Sequence, residues 1–391
     1  MDFGLTAEQT MVRNAAREFA QKEIAPTVGE DERGHRYNDR IVKEMAKLGF
    51  FGFIAPDRYG GTEMGYLAAS LATLEIAKES PSYGVTFNLQ MNAIQSVLLA
   101  FGTEEQRKRY IPPLIAADAY GCFALTEADT GSDIASMLTT AREVDDGFVL
   151  NGSKMWISGV PVATVGIIFA MTDPEKRHRG MSAFMVDMQT PGIEQCAITE
   201  KLGLHSSPPG EIILVDVKVP KEALVGKPGD GFKIAMYMLD RTRLSCAARS
   251  AGVAEKCFEL AKHYANERQQ FGQAIINFQM IQDQLARMWC EHEAAKLLVF
   301  KAAWVMDNLV KAGGRPTLHI STAKYYGAEA AVMAANEAMK IFGSYGFGTE
   351  YPIERFYRDA KSYQIVEGTS NIQKTIIARN FIEEKKGQRQ Q

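Results

Sequence analysis

The hydrophobic rhythm of the chain changes twice. Up to about residue 120 the apolar positions recur at helical spacing, with Met11, Val12, Ala15, Ala16 and Phe19 forming one stripe. Thr6 and Gln9 stand at capping-box spacing before that stripe. Thr103 and Gln106 repeat the pattern before a helix expected to stop near Pro112 and Pro113. Residues 38–48 and 67–80 read as further helices, and 50–61, rich in glycine, proline and aromatics, as a loop. Near Tyr120 the pattern shortens. Apolar or alternating runs at 121–125, 148–150, 165–170, 181–186 and 211–219 are separated by turn residues, with no long helix between them. From Asp230 the helical period returns at greater length, and a helix over 278–310 would run about 50 Å. One side of it carries Ile281, Leu285, Met288, Trp289, His292, Ala295, Val299, Ala302 and Met306.

This layout predicts an α+β chain, mainly α. A helical N-terminal domain spans 1–120, and a middle antiparallel β-barrel or sandwich spans 121–229. A C-terminal four-helix bundle spans 230–391, built from helices at 231–266, 278–310, 316–342 and 370–384. Composition changes this picture little. The 391 residues are 46% hydrophobic and 23% charged, which is ordinary globular usage for two or three domains. A net charge of −3 with no dense basic arm gives no reason to expect nucleic acid. No apolar run is long enough to span a membrane. The acidic residues Asp2, Glu8, Glu18 and Glu23 argue against a targeting segment, so the chain is expected in the cytoplasm. Five dispersed cysteines and six scattered histidines form no metal-ligand spacing, and no metal is expected.

The candidate chemistry lies in five segments. Glu367 stands in YQIVEGTSNIQ, beside Gly368 and ahead of an apolar, helix-prone stretch. A carboxylate there can act as a general base, although Thr369, Ser370 and Asn371 also read as ordinary helix caps. FALTEADTGSD, residues 123–133, offers Thr126 and Ser132 hydroxyls around the flexible Gly131, or a plain polar loop. KMWIS, residues 154–158, sets the broad face of Trp156 beside Ser158, which suits one side of a flat ring or a half-buried core position. RQQFG, residues 268–272, joins an arginine suited to phosphate with an adjacent phenylalanine. In KIFGSYG, residues 340–346, Gly343 and Gly346 allow a close backbone approach or simply end a helix. No GxGxxG, GxxxxGK[ST] or GxSxG motif is present, so nicotinamide Rossmann, P-loop and α/β-hydrolase readings lack support.

In this order and spacing the segments resemble the acyl-CoA dehydrogenase family over essentially the whole chain. RYGG (58–61), LDRTR (239–243) and FGTEYPIERFYRDAKSYQIVEGTSNIQ extend the match. The resemblance implies non-covalent FAD, a homotetramer, an acyl-CoA substrate and an electron-transferring flavoprotein as acceptor. It gives Glu367 the role of base, removing the thioester α-proton while the β-hydrogen leaves as hydride. It places Phe123, Leu125, Thr126, Trp156, Ile157 and Ser158 around the flavin, with Thr369 and Asn371 completing that site. Arg268, Gln270, Phe271 and Gln279 would bind the rest of FAD across a subunit boundary, joined by Lys340, Gly343 and Gly346. Ser132, Asp240, Arg243 and Gly368 would contact substrate. Some branches carry the base on an earlier helix, placed after LDRTR, but residues 244–254 contain no acid.

The resemblance is strongest to the glutaryl-CoA dehydrogenase branch, which holds the distal carboxylate with an arginine in the loop after the Ser-rich turn. Gly84 occupies the matching position here, and residues 80–100 contain no charged side chain. An uncharged pocket disfavours a carboxylate. The expected substrate is therefore a compact apolar acyl-CoA, such as cyclohexane-1-carbonyl-CoA, with a short straight or branched chain as runner-up. Val366 stands where many straight-chain enzymes have tyrosine, and Lys340 and Ser344 replace a common glutamine and glycine. An acyl-CoA oxidase, or a helical binding protein that has lost its flavin, would share the same motifs.

Overall fold

The structure, a computed structural model, describes residues 4–309 and 313–388, with side chains described as far as residue 382. The N-terminal part holds α1 (Ala7–Phe19), α2 (Val28–Arg33), α3 (Asp39–Lys47), α4 (Gly65–Glu79), α5 (Pro81–Asn88), α6 (Ser96–Phe101) and α7 (Glu104–Ala116). Both expected capping boxes form. Thr6 Oγ1 accepts from Gln9 N–H at 3.2 Å while Gln9 Oε1 accepts from Thr6 N–H at 3.0 Å, and Thr103 and Gln106 repeat those distances.

Two expectations are corrected. The stretch read as a loop around Gly84 is helical. Ser80 Oγ accepts from Tyr83 N–H at 3.3 Å, Pro81 takes the first turn, and α5 passes through a π-helical segment (Leu89–Gln95) into α6. The second correction concerns α7, which continues through Pro112 and Pro113. Each proline removes one backbone donor. Burial of Ile111, Leu114 and Ile115 outweighs that loss, and the helix ends instead at Ala117, in the left-handed region.

The middle part contains β1 (Gly121–Ala124), β2 (Thr140–Val144), β3 (Gly147–Ser158), β4 (Val165–Met171), β5 (Met181–Asp187), β6 (Ile193–Ala197), β7 (Pro209–Pro220) and β8 (Leu224–Val225). Their order is β6-β7-β3-β2-β4-β5-β8, with β1 beside β4. β2 meets β4 only at Thr140 and Met171. The two halves therefore fold face to face over one core. Phe148, Leu150, Ile212 and Val217 from one half meet Ile168, Ala170, Phe184 and Val186 from the other. The sandwich is not wholly antiparallel, because β1 and β2 both pair with β4 in parallel.

The C-terminal part is α8 (Gly231–Glu267), the small hairpin of β9 (Gln269–Gln270) and β10 (Gln273–Ala274), α9 (Gln279–Asn308), α10 (Thr317–Phe342), α11 (Ser344–Phe347), α12 (Ile353–Tyr363) and α13 (Ser370–Gln388). Val310, the expected end of the second long helix, lies outside the described residues. The buried stripe of α9 is the expected one except that Trp289 is about half exposed and Ile281 only half-buried.

α8 is the central strut, in contact with α4, α9 and α10. Its small residues permit a close crossing with α4: a Cβ on Gly252 would lie 2.4 Å from the carbonyl oxygen of Leu74. Gly252→Ala is therefore expected to push the helices apart at a cost of about 1–3 kcal/mol, measured as a lower Tm and lower flavin retention on heating.

Candidate active site

The segment after α12 reverses direction on two residues of positive φ, Glu367 at 58° and Gly368 at 84°. A non-glycine residue in the left-handed region costs energy and must be held by its surroundings. Here both peptide carbonyls are gripped. Glu367 O accepts from Arg243 Nε at 3.0 Å and Gln373 Nε2 at 3.2 Å. Gly368 O accepts from Lys324 Nζ at 2.7 Å and Gln373 Nε2 at 2.9 Å. Arg243 and Lys324 are buried, and burial pulls both cations below their ordinary values. Asp240 opposes that pull most at Arg243, and Cys246 most at Lys324, with Glu367 second at each. Gly368 has no room for a side chain: a Cβ would lie 2.9 Å from Gln373 Nε2.

The Glu367 carboxylate is half-buried and held from two sides. Thr242 Oγ1 of α8 donates to Oε2 at 2.6 Å, and Asn88 Nδ2 of α5 donates to Oε1 at 3.4 Å. The helix position facing the base is thus Thr242, inside LDRTR rather than after it, and it is a hydroxyl. The backbone N–H of Glu367 has no acceptor among the described residues.

A second group of expected residues gathers at the end of β3. Met155 N–H donates to Thr126 O at 3.0 Å, which sets the 123–126 segment beside 156–158. Leu125 and Ile157 are buried, and Phe123, Thr126 and Ser158 are half-buried. Trp156 is 57% exposed and has φ 61°, so a broad ring is held out on a strained backbone. Beneath it a buried ion pair anchors the loop: Lys154 Nζ lies 2.8 Å from Glu127 Oε1. Glu127 also accepts from Leu138 N–H at 2.6 Å and Thr139 N–H at 3.0 Å. Burial pulls Lys154 down to about 8 against the attraction of Glu127.

Other expected residues lie apart from this centre. Arg268 is 25 residues beyond Arg243 on the α8 line, about 37 Å away at helical rise. Near it, Phe271 is 93% exposed at the tip of the β9–β10 hairpin, and the Arg268 guanidinium sits 5.7 Å from the Tyr345 ring. Gln270 and Gln279 are exposed on the same element pair, and Gly343 is exposed beyond α10 while Gly346 is packed on Phe342. Lys340 ion-pairs with Glu337 at 2.7 Å. Ser132 is exposed in its loop, as is Asn371 at the start of α13. Thr369 caps α13, its Oγ1 accepting from Ile372 N–H at 3.2 Å, so the capping reading is also true. Asp240 accepts from Thr317 Oγ1 at 2.8 Å and lies 3.6 Å from Arg243 Nη1. Those bonds give Arg243 a positioning task that the resemblance did not assign.

Models of the three acyl-CoA dehydrogenase domains match this chain: the N-terminal domain over 6–118, the middle domain over 122–217 and the C-terminal domain over 229–382. The chain belongs to the acyl-CoA dehydrogenase family. Glutaryl-CoA dehydrogenase of Desulfococcus multivorans is 45% identical over 382 residues, covering 97% of this chain and 97% of that one. A solved glutaryl-coenzyme A dehydrogenase in complex with glutaryl-CoA superposes with a TM-score of 0.95 at 44% identity, covering 98% of this chain and 97% of that one. Butyryl-CoA dehydrogenase from Megasphaera elsdenii gives 0.95 at 36% identity, with 98% and 100% covered. Acyl-CoA dehydrogenases are FAD-dependent oxidoreductases, and this chain is one of them.

The residues present fit FAD: an exposed indole on a strained strand end, with the Thr126 and Ser158 hydroxyls beside it, is a surface shaped for a flat polar ring. Sequence reasoning missed Asn88, Thr242, Lys324, Gln373 and Glu127. Lys324 carried a signal, as a lone lysine on the apolar stripe formed by Ile320, Ala323, Gly327, Ala328 and Ala331. Arg249 was missed too. It is 2% exposed on α8, with its Cδ and Cγ where a Cβ on Gly84 would lie. Residues 80–100 are uncharged, yet this cation from α8 sits against them at Gly84.

Glu127→Gln leaves a buried ammonium without its counter-charge and is expected to cost about 3–5 kcal/mol. Circular dichroism melts and the flavin-to-protein absorbance ratio should both fall; a variant with unchanged melting and full flavin would contradict this role.

Proposed function

We propose that the chain oxidises an acyl-CoA thioester to its 2-enoyl-CoA, with Glu367 as the base that removes the α-proton. The observation that carries this reading is the carboxylate itself, half-buried on a left-handed turn and held by Thr242 and Asn88. A thioester α-proton is only weakly acidic, so the negative charge developing on the carbonyl oxygen needs a donor. The unengaged N–H of Glu367 is available for it, and such donors typically contribute about 3–4 kcal/mol each. Thr242 and Asn88 keep the carboxylate from turning to solvent. Arg243, Lys324 and Gln373 hold its backbone still, which preserves the alignment on which proton transfer depends. FAD, when bound, supplies the oxidant by accepting the β-hydrogen as hydride.

The acyl group is proposed to be compact. Asn88 and Thr242 face each other at the carboxylate, while one to two helical turns further on Gly84 and Arg249 already touch. A chain much longer than five or six carbons would meet that contact, estimated from a rise of about 1.5 Å per residue. Glutaryl-CoA, cyclohexane-1-carbonyl-CoA and butyryl-CoA all have this size.

A homotetramer is part of the proposal. The ~37 Å that separates Arg268 from the Glu367 region on one chain supports binding of the two ends of FAD by different copies. Exposed Trp289, Leu297 and Trp304 on α9 and Phe271 on the hairpin offer apolar surface for contact between subunits. An electron-transferring flavoprotein is the proposed acceptor. No described helix is long and apolar enough to cross a membrane. The cytoplasm is the proposed compartment, supported by five free cysteines, three of them buried.

Purified protein should be yellow, and a suitable acyl-CoA should bleach it under anaerobic conditions. Glu367→Gln is expected to keep its flavin while substrate-driven bleaching slows about 10²–10⁴-fold in stopped flow. Bleaching at the wild-type rate would remove Glu367 from the mechanism.

A further inference from the structure

Arg249 is among the largest fully buried side chains of the molecule, and its charge has no acidic partner among the described residues. It makes no ion pair or hydrogen bond among the described residues, and its Nε is wholly enclosed without an acceptor. The guanidinium carbon lies over the ring of Tyr363, 5.6 Å from its centre, and the Tyr363 hydroxyl is also buried without a partner. A guanidinium cannot shed its charge at any ordinary pH, so burying one unpaired carries a large penalty.

The buried carboxylate closest in sequence to this pair does not relieve that penalty. Asp359, one helical turn before Tyr363, is engaged by Leu204 N–H at 2.6 Å, and its charged neighbours are Glu32, Arg355 and Arg358. Burial pushes it up to about 7. Arg249 lies outside ion-pair distance of it, and Glu255, further along α8, is already taken by Lys78 and Lys296.

The position of Arg249 relative to the base is set by two helices. Thr242 and Asn88 touch the Glu367 carboxylate, and Arg249 and Gly84 lie on the same two helices, one to two turns away. Arg249 follows Thr242 by seven residues, about 10 Å along the α8 axis, and its own side chain spans part of that distance. Cys246, between them on α8, senses the charges of both Arg249 and Glu367. Glycine at 84 is what lets the arginine lie there, since a Cβ would sit 2.7 Å from Arg249 Cδ.

We infer that Arg249, with the hydroxyl of Tyr363, binds an anionic end of the acyl group, making the substrate a short α,ω-dicarboxylic acyl-CoA. This rests on the reading of Glu367 as base and adds the residue that selects the far end of the substrate. The terminal carboxylate replaces the missing counter-charge, and the two fixed donors define the distance between it and the carbon that loses its proton. An uncharged chain of equal length leaves the guanidinium desolvated and unpaired, which is the strongest form of rejection such a pocket offers.

The test compares glutaryl-CoA with pentanoyl-CoA, its uncharged counterpart of equal chain length, using a ferrocenium acceptor and the flavin-loaded protein. Wild type is expected to favour glutaryl-CoA roughly a hundredfold or more in kcat/KM. In Arg249→Met that ratio should collapse, chiefly through KM, with Arg249→Lys in between and flavin content and circular dichroism preserved in both. Should Arg249→Met not fold, Gly84→Ala displaces the arginine from the other helix and is expected to lower the same ratio. A wild-type ratio near or below one overturns the inference, as does a ratio that survives displacement or loss of the guanidinium. If neither thioester nor any other acyl-CoA bleaches the flavin, the fault lies instead with the dehydrogenase reading of Glu367.

Discussion

Two buried cations hold two adjacent peptide carbonyls, and the geometry of the Glu367 carboxylate follows from that grip. Arg243 on α8 and Lys324 on α10 bond the carbonyls of Glu367 and Gly368, and Gln373 on the following helix bonds both. Without them a glutamate would have little reason to remain at positive φ, where its Cβ crowds its own backbone. Burial disfavours the charge on both cations, so their bonds to carbonyl dipoles and the nearby carboxylate are strong interactions in a poorly screened place. The arrangement also explains why Gly368 cannot carry a side chain.

From that fixed turn the carboxylate reaches back to groups far away in the sequence. Asn88 is 279 residues from Glu367 and Thr242 is 125 residues away, yet they hold its two oxygens. Three parts of the chain must therefore be folded before the base has its orientation. α8 serves as the common strut: its small residues let α4 cross closely, Thr242 and Arg243 attend the base, and Arg249 lies further along the same helix. Its length also sets the Arg268 hairpin far from Glu367 on the same chain.

The middle domain contributes a different kind of support. Its β1 and β3 ends are joined by one backbone bond between Met155 and Thr126, and the loop beyond is tied down by Glu127 and Lys154. Trp156 stands on that base at positive φ with its ring more than half exposed.

Much of the fold was legible in the sequence because the signals are local. Capping boxes at Thr6 and Thr103, helical stripes in the first and last thirds, and short alternating runs between them each depend on neighbouring residues. The turn that carries Glu367 was legible too, because a carboxylate beside a glycine before a helix is a local pattern. Three features escaped. The helix through Gly84 and the continuation of α7 past its prolines are decided by burial, which local propensity does not register. The partners of Glu367 come from three separate helices, and nothing in LDRTR or SYGVTFN announces that they meet. The uncharged run 80–100 was read correctly as a string, but Arg249 reaches it from α8. Sequence alone determined which elements form and that a carboxylate stands on the glycine turn before the last helix, since periodicity and turn chemistry act over a few residues. Which side chains hold that carboxylate, and which buried cation lies against Gly84, was decided only by tertiary packing, because hydrogen bonds and burial join atoms by distance in space rather than by order along the chain.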